Sequence, residues 1–309
     1  DSTMTMTPAV QKILRFYESD APGIKAKLAH LLMHGRLGGT GRLIILPVDQ
    51  GFEHGPNRTF ASNPPAFDPL YHFSLAVDAG LSAYAAPLGM LEAGADTFAG
   101  QIPLILKMNS ANALVGNTQY NQAMTGSIAD AIRLGCLGVG FTIYPGSDYT
   151  YAMFEEIQAY AQEARAHGLF VVIWSYPRGN MSTEGETAVD VVSYGAHMAA
   201  LLGAHIIKVK LPSSHLEKTL DKEALQTHRF KLDLLEDRVK HVLLSAFNGR
   251  RIVVFSGGTT KSDAELLEEA RAIKAGGGHG SIMGRNAFQR PREEALKLLD
   301  KLIEIYAAS

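Results

Sequence analysis

The feature that most constrains this chain is a repeated alternation. Eight short, nearly continuous apolar runs lie at 43–49, 82–87, 103–109, 138–145, 169–177, 205–212, 251–258 and 280–286, each followed by turn residues. Between most of them run longer stretches with helical spacing, among them 127–135, 153–168, 188–203, 263–276 and 292–306. Apolar runs without polar alternation suit parallel strands covered on both faces. Their pitch of roughly 34 residues fits one βα unit. Such units build either a doubly wound open sheet or a barrel. Eight units with no obvious reversal is the barrel number, so the reading is an α/β fold, a (β/α)8 TIM barrel. Residues 1–40 precede the first strand and carry helical pattern, which predicts an N-terminal helical extension closing the barrel bottom or packing on its flank. Residues 41–309 then form the catalytic domain. The segment 213–248 is longer than one helix needs and should carry an inserted loop or turn of helix.

Composition narrows the function classes. Lys plus Arg number 29 against 31 Asp plus Glu, a net charge of −2, so no field of either sign points to nucleic acid or anionic lipid. The single cysteine, Cys136, excludes an internal disulfide and a thiolate zinc site, and reads as a small buried hydrophobe. No apolar run approaches the roughly 20 residues of a membrane span, and a reducing cytoplasmic location is expected. His30 and His34 have i, i+4 spacing but lack the Glu of the zinc-protease pattern, so no metal site is expected. The 30 glycines are spread along the chain, several where a left-handed helix cap would sit, as at Gly135, Gly168, Gly203 and Gly276.

Polar residues recur at the C-terminal ends of the strands, the rim where barrel enzymes place their chemistry. Strand six, IIKVK, sets Lys208 and Lys210 two apart, hence on one face. An ammonium buried among isoleucines or beside another cation loses proton affinity, and a neutral amine is what attacks a carbonyl to form an imine. The alternative is a lysine paired with a carboxylate or reaching solvent, and spacing alone does not choose between the two. Strand five ends WSYPRG, with Trp174 and Tyr176 on one face and next to strand six in a barrel. A Tyr hydroxyl beside an amine can relay protons, and the indole can form a wall or donate one hydrogen bond. Asp49, at the tip of strand one, suits sugar hydroxyls, a lysine counter-charge, or a simple cap. Glu53 and His54 follow in the loop with less signal. Strands seven and eight end in SGG and GRN, and the loops after these two strands frequently bind phosphate. Ser256, Gly257 and Gly258 would supply a hydroxyl and amides; Gly284 and Arg285 would add an amide and a charged fork.

Taken in order and spacing, LPVDQGFEHGP, LILKMN, TIYPGS, WSYPRG, GAHIIKVK, SGG and GRN resemble the archaeal-type class I fructose-1,6-bisphosphate aldolases. The resemblance covers about residues 40–308, and residues 8–40 are similar to the extension of the bacterial members. It implies a (β/α)8 barrel, with Lys208 as the Schiff-base lysine, Tyr176 as acid/base catalyst and Trp174 as its companion. It also implies Asp49 as the strand-one acid, and Ser256, Gly257, Gly258, Gly284 and Arg285 as phosphate ligands. Lys107, with Asp49, would position hydroxyls and set local charge. Where the archaeal pattern often reads His-Gly after the aspartate, this chain has Gln50-Gly51, as bacterial relatives do. The resemblance further implies a metal-independent, cytoplasmic lyase of glycolysis and gluconeogenesis, with no cofactor beyond its own imine and a phosphorylated sugar as substrate. A ring-like homo-oligomer, a decamer among the options, is also implied. Two rivals remain: a related imine-forming enzyme on another phosphorylated or deoxy sugar, and a non-catalytic phosphosugar-binding protein.

Overall fold

The computed structural model describes residues 6–116, 120–257 and 261–309. Each of the eight apolar runs forms a strand: β1 (Leu43–Pro47), β2 (Ala83–Ala86), β3 (Leu104–Lys107), β4 (Gly138–Ile143), β5 (Phe170–Ser175), β6 (Ile206–Lys210), β7 (Ile252–Ser256) and β8 (Gly280–Ile282). All pair in parallel with their sequence neighbours, and β8 returns to β1 through Leu43 opposite Gly280, closing the barrel.

The two-residue period of a strand sorts side chains between two cores. Ile44 and Leu46 of β1, Leu104 and Leu106 of β3, and Ile207 and Val209 of β6 join the outer core beneath the helices. Leu43 and Ile45, Ile105, Phe170 and Val172, and Ile206 turn into the barrel. Strand β4 makes room for this interior by omission: a Cβ on Gly138 would come 2.4 Å from the Phe170 ring, and one on Gly140 would come 2.0 Å from the Trp174 ring. The barrel is filled by side chains on β5 that β4 leaves space for.

Two helices, α1 (Pro8–Leu14) and α2 (Pro22–Met33), precede the barrel, each with proline in its first turn. Val10, Ile13, Tyr17, Ile24 and Leu28 belong to the same core as the barrel interior, so this segment closes the bottom rather than packing on the flank. Polar contacts fix it there. The Tyr17 hydroxyl donates to the His205 carbonyl at 2.5 Å. His205 Nδ1 accepts from the Val171 N–H at 2.9 Å, which leaves Nε2–H to donate to Asp20 at 2.8 Å.

The helical stretches form as the spacing predicts, and one helix cap differs from expectation. Gly135, Gly168 and Gly203 are left-handed, but Gly276 has φ −79° and the left-handed residue is Gly277 at +87°. Gly276 is small for another reason: a Cβ there would sit 2.6 Å from the Glu236 carbonyl. The segment after β6 holds two helices, Thr219–Thr227 and Leu235–Ser245, and only the second buries an apolar face. Buried Asp190 accepts from the backbone N–H groups of Glu217 and Lys218, which pins the inserted part. Beyond β1 the chain turns at once into the short helix Gln50–His54, and beyond β3 it forms a small hairpin, Asn109–Ser110 against Ala123–Met124. Cys136 is buried, and burial pushes its thiol up to about 12.

Candidate active site

The strand parity that builds the inner core also builds the site. Lys107 continues the face of Ile105, Lys208 that of Ile206, Trp174 that of Phe170 and Val172, and Ser256 that of Ile252 and Val254. All therefore point into the top of the barrel. Register completes the alignment: Trp174 lies opposite Lys208, and Lys210 opposite Ser256. Lys208, whose orientation the spacing left open, is 5% exposed and faces the interior. Its Nζ lies 5.8 Å from the centre of the Trp174 ring and 5.3 Å from that of Tyr176. Lys107 Nζ lies 5.4 Å from the Trp174 ring and donates to the Asn109 carbonyl at 2.9 Å. The indole thus lies close to both ammonium groups. Its own N–H has no hydrogen-bond partner among the described residues.

Asp49 occupies the N-cap position of Gln50–His54, yet its side chain makes no cap hydrogen bond. One of its oxygens lies 3.6 Å from Lys107 Nζ, close enough to balance that lysine's charge. Burial pulls Lys208 down to about 8; Asp49 opposes the shift and the neighbouring Lys107 cation assists it. Burial also lowers Lys107, against Asp49 and Glu53. The same desolvation raises the Tyr176 phenol well above its ordinary value, and the Asp49 and Glu53 charges add to the effect. The site therefore holds an amine unusually ready to lose its proton beside a phenol unusually reluctant to do so.

Above this cluster opens a cavity of about 640 Å³. Asp49, Tyr176, Lys208, Ser256, Gly257, Gly284 and Arg285 lie on its wall. Gly258 lies outside the described residues. Lys107 and Trp174 are not on the wall; Trp174 stands beside Lys208, and the Lys107 charge reaches it. Gly284 owes its size to close approach, since a Cβ there would meet Gln50 Nε2 at 2.4 Å and the Pro47 carbonyl at 2.7 Å.

Several wall residues carried little or no sequence signal. Glu53, one helical turn after Asp49, lines the cavity and bears on Lys107, Lys208 and Tyr176. The i, i+4 relation to Asp49 would reveal it only once 50–54 is known to be helical. Arg178 continues the inward parity of Trp174 and Tyr176 and lies 5.6 Å from the Tyr176 ring. Arg58, Arg178 and Lys210 place cations on the wall besides Arg285. Glu269 also lines it, held by Lys261 at 2.6 Å. Among the described residues no three His, Cys, Asp or Glu side chains gather as a metal-ligand set, and the His30 and His34 rings stand 6.3 Å apart.

Comparison with known proteins converges on one chemistry. Residues 43–290 match the DeoC/LacD family of aldolases. A probable class 1 fructose-bisphosphate aldolase of Chlamydia trachomatis is 38% identical over 311 aligned residues, covering 94% of this chain and 87% of the relative. The class 1 fructose-bisphosphate aldolase of Thermoproteus tenax is 34% identical, over 86% of this chain and 89% of its own. Among solved structures, an archaeal fructose-1,6-bisphosphate aldolase with its catalytic lysine covalently bound to the carbinolamine intermediate superposes with a TM-score of 0.75. It is 31% identical, over 91% of this chain and 99% of its own.

Proposed function

The chain belongs to the DeoC/LacD family of aldolases, and from that premise we propose that it is a class I fructose-bisphosphate aldolase in which Lys208 forms the imine. The observation that carries the proposal is the buried Lys208 amine, pulled down to about 8 between Trp174 and Tyr176. At pH 7 such a group is neutral in about one molecule in ten, against about one in several thousand for an ordinary lysine. The gain in nucleophile concentration is of order several hundredfold.

In the cleavage direction the Lys208 amine attacks the C2 ketone of fructose 1,6-bisphosphate. Tyr176 then passes its proton to the carbinolamine oxygen, which leaves as water, and a protonated imine remains beside the phenolate. The iminium accepts the C3–C4 electron pair while the phenolate takes the proton of the C4 hydroxyl. Glyceraldehyde 3-phosphate leaves. Tyr176, now a phenol again, protonates the enamine at C3, and water releases dihydroxyacetone phosphate and regenerates the amine. One tyrosine thus serves each proton transfer in turn, and the high proton affinity that burial gives it resets it as donor.

Ser256, Gly257, Gly258, Gly284 and Arg285 are assigned to one phosphate, supported by their place after β7 and β8. The Arg58, Arg178 and Lys210 cations on the wall suit the second. Asp49 and Lys107 hold the charge balance around the imine. No metal takes part in these steps. The proposal includes a cytoplasmic homo-oligomer serving glycolysis or gluconeogenesis, a decamer being one assembly. Exposed Tyr194 and Leu201, seven residues apart on helix Val189–Leu201, offer an apolar strip for such contacts. Borohydride reduction in the presence of dihydroxyacetone phosphate should leave one adduct on Lys208 by peptide mass mapping. An unmodified Lys208, or activity abolished by EDTA, would sink the proposal.

A further inference from the structure

A second cavity, of about 490 Å³, lies at the opposite end of the barrel, between α1 and the N-terminal ends of β1, β7 and β8. Its wall carries Lys12 from α1, Arg42 just before β1, Arg250 just before β7, and His279 just before β8. No Asp or Glu lines it among the described residues. Nor does any of the three cations form an ion pair there. Arg42 is the least satisfied. Its Nε is buried without a hydrogen-bond partner, and its only side-chain hydrogen bond among the described residues is a long one from Nη1 to the Tyr306 carbonyl at 3.4 Å. Arg250 is turned back onto the Phe247 carbonyl at 3.3 Å, leaving its terminal nitrogens uncommitted. His279 Nδ1 accepts from the Val253 N–H at 3.1 Å. A neutral imidazole in that tautomer keeps Nε2–H as a donor on the cavity wall. Burial holds the ring down to about 4, helped by the positive charges of Arg42 and Lys12.

Like charges gathered around one partly enclosed space repel, and nothing in the wall balances them. An anion would. The glycines on the wall leave room for it: beside Gly249 and Gly277 a Cβ would meet nothing within 4 Å. The backbone N–H groups of Gly249, Gly276, Gly277 and Gly278 are already spent on helix-end carbonyls, so recognition falls to side chains. Two guanidinium groups, an ammonium and a neutral imidazole donor suit phosphate or carboxylate oxygens. We propose that this cavity is a second anion site, taking a small polyanion that carries phosphate or carboxylate groups. Because Lys12 comes from the extension and the other groups from the barrel, the bound anion clips α1 to the barrel floor.

The test is calorimetric titration of the whole protein with inorganic pyrophosphate and, separately, with malonate. Three proteins are compared: wild type, a floor variant (Lys12→Ala with Arg250→Ala), and a rim variant (Arg285→Ala). Both floor side chains are exposed, so the fold should persist, and fructose 1,6-bisphosphate cleavage should be unchanged in that variant. The expected result is one binding event that survives Arg285→Ala and weakens about tenfold or more in the floor variant, as befits loss of two charge-assisted partners. The probe that shows it identifies the head group. Titrations of wild type and floor variant that superimpose would overturn the proposal, as would the absence of any event beyond the one Arg285→Ala removes. Failure of the rim site alone would count against the catalytic reading and leave the floor site standing.

Discussion

The tightest constraint on the site is a glycine on a neighbouring strand, and Gly140→Ala tests it. The added Cβ would lie 2.0 Å from Cζ3, 2.6 Å from Cη2 and 3.2 Å from Cε3 of Trp174. Carbon atoms in contact settle at about 3.5–4.0 Å, so the indole must retreat by roughly 1.5–2 Å. It has little space to do so, being 1% exposed with the Lys107 and Lys208 ammonium groups 5.4 and 5.8 Å from its ring centre. Overpacking of this kind costs about 1–3 kcal/mol. For a chain of this size that lowers Tm by roughly 2–8 °C. The effect on rate should exceed the effect on stability, because a misplacement of about 1 Å near the reacting atoms can cost about 100-fold in kcat. Trp174 is the only tryptophan, so its emission reports the displacement directly. Adding Trp174→Leu to Gly140→Ala should recover the Tm but not the activity. A Gly140→Ala protein with wild-type emission, Tm and kcat would refute the claim that β4 was emptied to seat this ring.

Other expectations follow from the buried amine. Lys208→Met should lower cleavage on the order of 10³-fold or more, by coupled assay, while the protein still binds substrate. The same variant should be more stable than wild type at pH 7, by about 1–3 kcal/mol in urea unfolding. The folded state holds the Lys208 ammonium less readily than the unfolded chain does, so the penalty is complete below about pH 8 and fades as pH rises toward the ordinary lysine range. The stability gap should therefore shrink from about pH 8 and close only above about pH 10.5. In wild type, kcat/KM should climb with pH and level off above about 8, and a limb centred near 10 would contradict the assigned environment. Tyr176→Phe should cut kcat by about 10²–10⁴-fold with KM little changed, and should slow borohydride trapping.

The barrel was legible because its physics is local. Eight continuous apolar runs can be covered on both faces in few ways, and their count selected a closed sheet with every strand in its place. The positions that escaped are those where one strand answers to another. Gly138 and Gly140 read as glycines in an apolar run, and only the register of β4 on β5 shows that they are spaces for Phe170 and Trp174. Gly276 looks like a left-handed cap and is instead a close approach to the helix holding Glu236. The hairpin beyond β3 has two residues in each strand, too short to leave a periodic signal.

The site divides along the same line. The strand period puts Lys208 with Lys210, and Trp174 with Tyr176, on one face each, but it does not say which face turns inward. Choosing between Lys208 and Lys210 needed depth as well as direction, and parity supplies neither. Both lysines point inward; Lys208 is 5% exposed beside two rings, whereas Lys210, one pleat higher, is only partly buried at the rim. Burial lowers both; around Lys208 the further cations are Lys107 and Lys210, whereas Lys210 meets the Arg178 and Arg285 charges. Under the proposed function that difference would divide the labour: the amine starved of water becomes the nucleophile, and the one among cations at the mouth suits a substrate phosphate. Two identical residues two positions apart thus acquire different chemistry from about one pleat of depth, a quantity set by how far β6 rises in the barrel.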